Sequence, residues 1–171
     1  MSAPALRTER LVMLPLSTAD LDEVATLHAD EAVMEYVDGG TRNRDQTKSA
    51  LAATERCWKS EGWGLWAIRD ATTGGLVGEG GLQHITDLDG AEVDFGITIA
   101  KRHWDKGYAT EAGHVILLDA WDRYTGNLIH AVTHPANTAS AAVLRKLGFR
   151  RVDDRDIRGS TQFLWEVPRL A

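Results

Sequence analysis

The chain has 171 residues, 43% of them hydrophobic, which is enough for one substantial core and too little for two full-sized cores. Its 25 acidic and 19 basic residues give a formal net charge of -6, which argues against a nucleic-acid partner because the phosphate backbone is itself anionic. The first residues lack the apolar stretch of a signal peptide, and no apolar run approaches the roughly 20 residues that span a bilayer. We therefore expect a single domain over residues 1–171 in the cytoplasm, with no membrane partner.

The first half of the chain carries both strand and helix signals. They predict a strand, a capped amphipathic helix, a second helix and two further strands, at residues 10–16, 17–28, about 45–60, 63–69 and 76–85. Segment 38–45 is polar, glycine-bearing and aperiodic, so we expect a loop there that is able to lie over a substrate pocket. The turn residues between Asp70 and Gly75 favour a hairpin.

The clearest strand signal covers residues 91–100. Apolar residues alternate there with polar or small ones, which places two sets on opposite faces: Val93, Phe95, Ile97 and Ile99 on one, and Glu92, Asp94, Gly96 and Thr98 on the other. The pattern predicts a strand that presents the carboxylates of Glu92 and Asp94 side by side.

The second half of the chain predicts helix, strand, helix and two strands. The first of these helices follows Gly107 and the second covers 137–147. The strands lie at 128–133 and near 149–155 and 161–167. This order of elements implies an α/β (α+β) fold with a mixed sheet and helices on both faces.

The segment from Arg102 to Glu111 joins a strand to a helix and contains a glycine. Exposed backbone amides at the start of that helix form a plausible anion cradle. The alternative is an ordinary connector in which Thr110 or Glu111 serves the helix N-terminus through capping or dipole effects. The segment matches neither a Walker loop nor a dinucleotide-binding Gly-x-Gly-x-x-Gly.

Residues 102–112 carry a resemblance to a known family. Arg102-x-x-Asp105-x-Gly107-x-Ala109 is similar to the Gln/Arg-x-x-Gly-x-Gly/Ala pyrophosphate motif of the GNAT N-acetyltransferases. Residues 104–112 agree with the RimJ/RimL-type Trp-Gly-Lys-Gly-Tyr-Ala-Thr-Glu-Ala at every position except Asp105, where aspartate tolerates a positive φ better than most residues do. Further matches cover 8–16, the Glu92 strand, 137–140 and 146–149.

The resemblance implies a single GNAT-type domain with a mixed, mostly antiparallel sheet of about six to seven strands. The sheet would be splayed between the fourth and fifth strands, 91–100 and 128–133, so that the pantetheine arm of acetyl-CoA adds to the fourth strand. The implied cofactor-binding residues are Ile97, Thr98 and Ile99 for pantetheine, Arg102, His103, Trp104, Asp105, Lys106, Gly107, Tyr108, Ala109 and Thr110 for pyrophosphate, and Asn137, Ser140 and Arg145 on the helix that the adenine end approaches.

The implied reaction is direct transfer of acetyl from acetyl-CoA to a primary amine of a protein N-terminus or a small molecule. Glu92 is the first candidate base, directly or through water, with Asp94 and Glu79 as alternatives. Ser140 matches a RimJ/RimL-like serine that reaches the leaving sulfur, although it is also an ordinary residue for a helix. Asn137, in the same way, is a good N-cap residue.

Four residues are expected at the acceptor amine: Asp94, Glu79, Trp66 and His84. Asp94 stands where relatives often carry glycine, so it marks a contact peculiar to this chain. Core packing is the alternative for Trp66. A non-catalytic acyl-CoA-binding sensor with the same fold remains the alternative function, and the protein is expected to be a monomer or homodimer.

We expect no metal ion and no disulfide. The six histidines show no paired spacing on a helix face, and the single cysteine, Cys57, lies in an ordinary helical segment.

Overall fold

The computed structural model describes residues 3–170, and its strands form one eight-stranded sheet. The strands are β1 Leu6–Arg7, β2 Leu11–Pro15, β3 Leu65–Asp70, β4 Leu76–His84, β5 Val93–Ile99, β6 Leu128–Thr133, β7 Arg150–Ile157 and β8 Ser160–Pro168. The helices are α1 Leu21–Ala29, α2 Glu31–Met34, α3 Arg44–Glu61, α4 Tyr108–Arg123 and α5 Thr138–Lys146, with single 3-10 turns at Thr18–Asp20 and Lys101–His103.

The strand order across the sheet is β1-β2-β3-β4-β5-β6-β8-β7. Neighbours are antiparallel except for β5 and β6, which are parallel. The predicted mixed, mostly antiparallel sheet is confirmed. The additional strand is β1, whose two residues are too few to produce a periodic signal, and the four-residue α2 is missed for the same reason.

Local capping signals set the starts of the first helices. Ser17 caps the first 3-10 turn and exchanges hydrogen bonds with Asp20, and Asn43 caps α3 in the same reciprocal way with Gln46. At the other end of α3, Gly62 takes a left-handed φ of 78°, as a C-terminal glycine commonly does.

Strand β3 shows how the core divides between the two faces of the sheet. Trp66 and Ile68 are buried with side chains of α4 and α5, whereas Ala67 between them is buried with side chains of α1 and α3. Because successive side chains of a strand point to opposite faces, the helices cover both faces, as predicted. We call these two sides the α4 face and the α1 face.

The sheet is split between β5 and β6. The two strands are paired at Asp94 and His130, and they diverge beyond that point. Strand β5 remains paired with β4 along its whole length. The contact of β4 with β5 is close, since a Cβ on Gly80 would lie 2.8 Å from Cγ1 of Ile97. The splay predicted between the fourth and fifth strands is therefore found between β5 and β6.

Within residues 3–170, no helix combines the length and the apolar character needed to cross a membrane.

Candidate functional site

The N-terminus of α4 presents unpartnered backbone amides. Gly107 precedes the helix with a φ of 78°, and no side chain caps it. The first N–H groups of α4, from Tyr108 to Thr110, have no carbonyl one turn earlier within the helix, so they and the helix dipole favour a bound anion. Asp105 adopts a φ of 59°, which confirms that aspartate takes the left-handed conformation there. We call these amides the anion cradle.

Glu111, in the first turn of α4, is clamped to the start of the chain. Its Oε1 accepts from Thr8 Oγ1 at 2.6 Å and from the backbone N–H of Arg10 at 3.1 Å, while its Oε2 accepts from the Arg10 guanidinium at 2.6 Å. The same guanidinium lies 4.4 Å above the ring of Tyr108. Burial opposes the charge of Glu111, but the hydrogen bonds from Thr8 and Arg10 outweigh burial and lower the pKa of Glu111.

The sequence did not predict this clamp, although both of its halves lie in segments that resemble the family. A carboxylate beside an anion cradle is unfavourable unless it is neutralised, and Arg10 neutralises it. The clamp therefore joins two motifs about 100 residues apart in the chain and fixes α4 against β2.

The side chains of the loop before α4 point in different directions. Arg102 donates to the carbonyl of Leu76 in β4 at 2.9 Å, and Trp104 donates its indole N–H to the carbonyl of Ile99 at 2.8 Å. His103 has a buried Nδ1 with no partner in the described chain, and burial first, then nearby cations, lower its pKa. Arg102 is thus tied to β4 through its side chain, and its contribution to an anion site is limited to its backbone.

Alternate backbone groups of β5 face the split. Ala100 donates to Val77 of β4 and Glu92 accepts from Ile85, so even-numbered residues bond to β4. By the period of two, the N–H and C=O groups of Ile97 and Ile99 point the other way, toward a gap in which β6 no longer pairs. The backbone of Thr98, which was expected to bind pantetheine with them, bonds to β4 instead.

Asp94 lies where the split begins, with its side chain on the α1 face. Its Oδ1 accepts from the backbone N–H of Val132 in β6, and its Oδ2 accepts from Gln83 Nε2, both at 3.2 Å. Burial raises the pKa of Asp94 to about 6, against the opposing effect of these two hydrogen bonds. The Asp94 carboxylate therefore lies at the end of the β5 edge that β6 leaves unpaired.

Glu92 is separated from Asp94, contrary to the sequence expectation that they lie side by side. It is exposed and precedes the first residue of β5, and its side chain turns to Tyr124 of the α4 side while that of Asp94 lies on the α1 face. Its Oε2 accepts from the hydroxyl of Tyr124 at 2.9 Å, just past the last residue of α4. Burial and then this carboxylate raise the pKa of Tyr124 to about 12.

Glu79 belongs to a buried polar network on the α1 face. Its Oε1 lies 2.8 Å from Nε2 of His28, whose Nδ1 lies 3.1 Å from Oγ1 of Thr47. Oε2 of Glu79 is buried without a partner among residues 3–170. The network joins β4 to α1 and α3. It explains why the Glu79 carboxylate is buried, whereas from the sequence we expected it at the acceptor amine.

The two aromatic residues expected at the acceptor lie apart from Asp94. Trp66 is 2% exposed and packs in the core, with its ring 4.8 Å from that of Trp58. His84 is exposed at the end of β4, and its ring lies 4.8 Å from that of Trp63. Core packing, the alternative stated for Trp66, is what the structure shows.

On α5, Asn137 caps the helix by accepting from the backbone N–H of Ser140 at 3.1 Å. The Ser140 hydroxyl makes no hydrogen bond with another residue of the described chain, and the residue is half-buried. Arg145 is exposed, with its guanidinium 5.2 Å above the ring of Trp165. Asn137 is therefore a cap, while the hydroxyl of Ser140 is free to bind another group.

His130 and Glu166 were not singled out by the sequence. His130 is paired with Asp94 in the sheet, is 5% exposed, and has its Nε2 3.3 Å from Oε1 of Glu166 in β8. Its Nδ1 is buried without a partner within residues 3–170. The available signal was a histidine inside an otherwise apolar strand.

Three loops meet at Arg158. Arg158, in the turn between β7 and β8, pairs with Asp38 before α3 and with Asp87 between β4 and β5. Tyr36 stacks on His134 at a ring distance of 5.1 Å. Asp38, the first residue of segment 38–45, thus contacts the turn between β7 and β8. That this segment lies over a substrate pocket stays a prediction.

Comparison with known proteins identifies the family. A profile described as "Acetyltransferase (GNAT) domain" matches residues 10–150. The chain belongs to the GNAT acetyltransferase family. It is 30% identical to Bacillus subtilis YkkB over 122 residues, which are 71% of this chain and 70% of that protein.

Solved GNAT structures share the fold. An acetyltransferase of Agrobacterium tumefaciens has a TM-score of 0.85 and 25% identity, with 99% of this chain and 96% of that chain covered. RimL, a ribosomal L7/L12 alpha-N-protein acetyltransferase solved with coenzyme A, has a TM-score of 0.80 at 12% identity, with 96% and 98% covered. At 12% identity, the likeness to RimL concerns the fold alone.

GNAT acetyltransferases use acetyl-CoA, and the described residues fit such a co-substrate. The anion cradle offers uncapped amides, and a Cβ built on Gly107 meets only the Arg10 guanidinium, at 3.7 Å. The split leaves strand-like hydrogen-bonding groups on Ile97. Between residues 3 and 170, no group of three or more His, Cys, Asp or Glu side chains is arranged to hold a metal ion.

Proposed function

We propose that the protein is an acetyl-CoA-dependent N-acetyltransferase of the RimJ/RimL-like branch, acting as one domain on a primary amine. The observation that carries the proposal is the continuous track from the anion cradle, along the free edge of β5, to the carboxylate of Asp94. The match at residues 104–112 and the fold shared with RimL support the branch. A protein N-terminus or a small-molecule amine is the expected acceptor.

The track accounts for the parts of the co-substrate in order. The cradle amides would hold the pyrophosphate, as helix N-termini do. Ile97 through its N–H and C=O, and Ile99 through its N–H, would bond the pantetheine arm as an added strand would, and α5 would lie near the adenine end. The thioester at the end of this arm supplies the acetyl group near Asp94.

Asp94 replaces Glu92 as the carboxylate at the reaction point. Glu92 is held by Tyr124 next to the last turn of α4, and 16 residues of helix correspond to about 24 Å between the two ends of α4. Asp94 is half-buried at the start of the split and can hold an amine next to a thioester. The role proposed for Asp94 is to bind and orient the attacking nitrogen.

The reaction is a direct attack. The neutral amine nitrogen forms a bond to the acetyl carbon, the bond from that carbon to sulfur breaks, and the amine loses a proton. Ser140, whose hydroxyl has no partner in the described chain, would hydrogen-bond the departing thiolate. Thr98 contributes no backbone group in this arrangement.

An acceptor screen with acetyl-CoA, read by release of free thiol, tests the function. With a confirmed acceptor, Asp94→Asn should lower the single-turnover rate by about 10²-fold or more, whereas Glu92→Gln should change it less than about threefold. Acetyl-CoA affinity should stay near wild type in both variants. Equal rates for the two variants would remove Asp94 from the reaction point.

The Asn variant should fold. The pKa of Asp94 is about 6 in the folded protein and 3.8 as its ordinary value, so ionisation of the buried carboxylate costs stability above about pH 6 and costs none below 3.8. Asparagine removes this cost and keeps an oxygen that accepts from Val132. A loss of rate in Asp94→Asn is therefore a loss of chemistry.

One observation favours a second candidate, an acyl-CoA-binding sensor without turnover. Asp105 places a carboxylate next to the cradle, where it opposes the pyrophosphate. Binding of acetyl-CoA without thiol release across protein N-terminal peptides, polyamines, aminoglycosides and amino acids would favour the sensor.

A further inference from the structure

Asp94, His130 and Glu166 lie on three adjacent strands, β5, β6 and β8. Asp94 pairs with His130, and His130 pairs with Glu166. Ile129 and Ala131 are packed on the α4 face, so the side chain of His130 between them lies on the α1 face with that of Asp94. The three ionisable side chains therefore share one face at the start of the split.

The position of Glu166 favours a proton on one nitrogen of His130 over the other. Nε2 lies 3.3 Å from Oε1 of Glu166, and an ionised carboxylate only accepts hydrogen bonds. A negative charge at this distance attracts an N–H and repels a lone pair, so the neutral ring is favoured with its proton on Nε2 and its lone pair on Nδ1. That lone pair is buried without a donor from the described residues, which is uncommon for a buried polar atom.

Gly96 leaves room for a ligand on the same face. It follows Asp94 by two residues in β5, and a Cβ built on it meets no atom within 4 Å. Glycines 78, 80 and 81 of the neighbouring strand, by contrast, are each crowded by backbone or side-chain atoms. Open space thus adjoins Asp94 on the α1 face.

We propose that His130 is the general base of the transfer and that Glu166 positions it. This assignment rests on the proposed function. Asp94 binds the amine, and the lone pair on Nδ1 of His130 accepts the proton that the nitrogen loses as it bonds to the acetyl carbon. The bond from the acetyl carbon to sulfur breaks, the thiolate takes a proton from solvent, and Glu166 stabilises the resulting imidazolium until that proton passes to water.

Nitrogen-15 NMR of the imidazole rings tests the pairing of His130 with Glu166 and does not require catalytic turnover. In the wild-type protein, the neutral His130 ring should show a protonated Nε2 and an unprotonated Nδ1. Glu166→Ala should give a mixture of tautomers, and Glu166→Gln, whose amide oxygen still accepts, should restore the Nε2 form. A neutral ring protonated on Nδ1 in the wild type would overturn the assignment.

Single-turnover rates test the base itself. His130→Gln keeps an N–H near the Nε2 position and removes the lone pair of Nδ1, so the rate should fall by about 10²–10⁴-fold with acetyl-CoA affinity unchanged. The exposed His114 on α4 provides the control, His114→Gln, which should retain the wild-type rate. If His130→Gln keeps the wild-type rate, the assignment of His130 as the base is overturned. Acetyl transfer by the wild-type protein would still uphold the proposed function. Absence of thiol release by the wild type with every amine would instead overturn the function.

Discussion

At the scale of single residues, Asp105 combines an unusual backbone conformation with an unfavourable charge. Asp105→Gly should tighten acetyl-CoA binding, most at low salt, because a negative charge near the pyrophosphate is removed where screening is weak. Stability should change little, because relief of the left-handed conformation and the greater freedom of glycine in the unfolded chain oppose each other. Calorimetric titration at two salt concentrations measures the binding.

Asparagine at the same position separates the two effects. Asp105→Asn removes the charge and tolerates the φ of 59°, so it should reproduce the salt-dependent gain of the glycine variant. Weaker binding in both variants would show that the carboxylate supports the loop.

Ser140 offers a second prediction at this scale. Ser140→Ala should lower the single-turnover rate by about 10–1000-fold with acetyl-CoA affinity nearly unchanged, because a hydroxyl that bonds the leaving thiolate acts on the chemical step. Alanine is a good helix residue, so the helix itself should not suffer. Thr138→Ala, exposed in the same turn, is the control, and a wild-type rate in Ser140→Ala would exclude the role.

Residue type and local spacing predicted part of the candidate site. The left-handed conformation at Asp105 and the cap at Asn137 depend on near neighbours in the chain, and both could be predicted. Glu92 and Asp94 could not be ranked, because their partners, Tyr124 and Val132, come from distant parts of the chain.

At the scale of elements, the clamp on Glu111 holds α4 in place. Glu111→Gln should lower the midpoint of thermal unfolding, since the charge that pairs with Arg10 is lost while one oxygen can still accept, and should weaken acetyl-CoA binding because the cradle moves with α4. Asp119→Asn is the matched control: it breaks the pair of Asp119 with Arg123 on the same helix and should leave binding unchanged. Thermal unfolding and titration measure the two effects, and unchanged binding in Glu111→Gln would separate the clamp from the cradle.

Elements with strong periodicity or clear caps were predicted closely. The second helix, α3, spans Arg44–Glu61, near the predicted 45–60, because Asn43 and Gly62 mark its ends. Strand β1 and helix α2 depend on tertiary contacts, since two or four residues cannot carry a pattern of their own.

At the scale of the whole molecule, the split makes a prediction about amide exchange. In the absence of ligand, the N–H groups of Ile97 and Ile99 should exchange faster than that of Thr98, which bonds to β4. Coenzyme A should slow exchange at Ile97 and Ile99 and leave Thr98 nearly unchanged, because an added strand protects only the free edge. Hydrogen exchange followed by NMR measures this, and uniform protection of the three amides would contradict the proposed track.

The arrangement of the whole sheet could be predicted only through the family resemblance. Alternation along residues 91–100 predicts a strand, but it does not reveal that β6 leaves β5 after His130. The grouping of His130 with Glu166 depends on β8, whose place between β6 and β7 no local pattern reveals.

The position of β8 also orders events during synthesis of the chain. Strands β1 to β5 are neighbours in the sheet in the order in which they are made, so each can pair as it emerges. The edge of β6 that faces away from β5 is covered only after β8, Ser160–Pro168, has been made. A nascent chain thus completes the surfaces proposed for acetyl-CoA, through α5, before Glu166 can reach His130. On this assignment, the growing polypeptide completes its co-substrate surface first and positions its proton acceptor last.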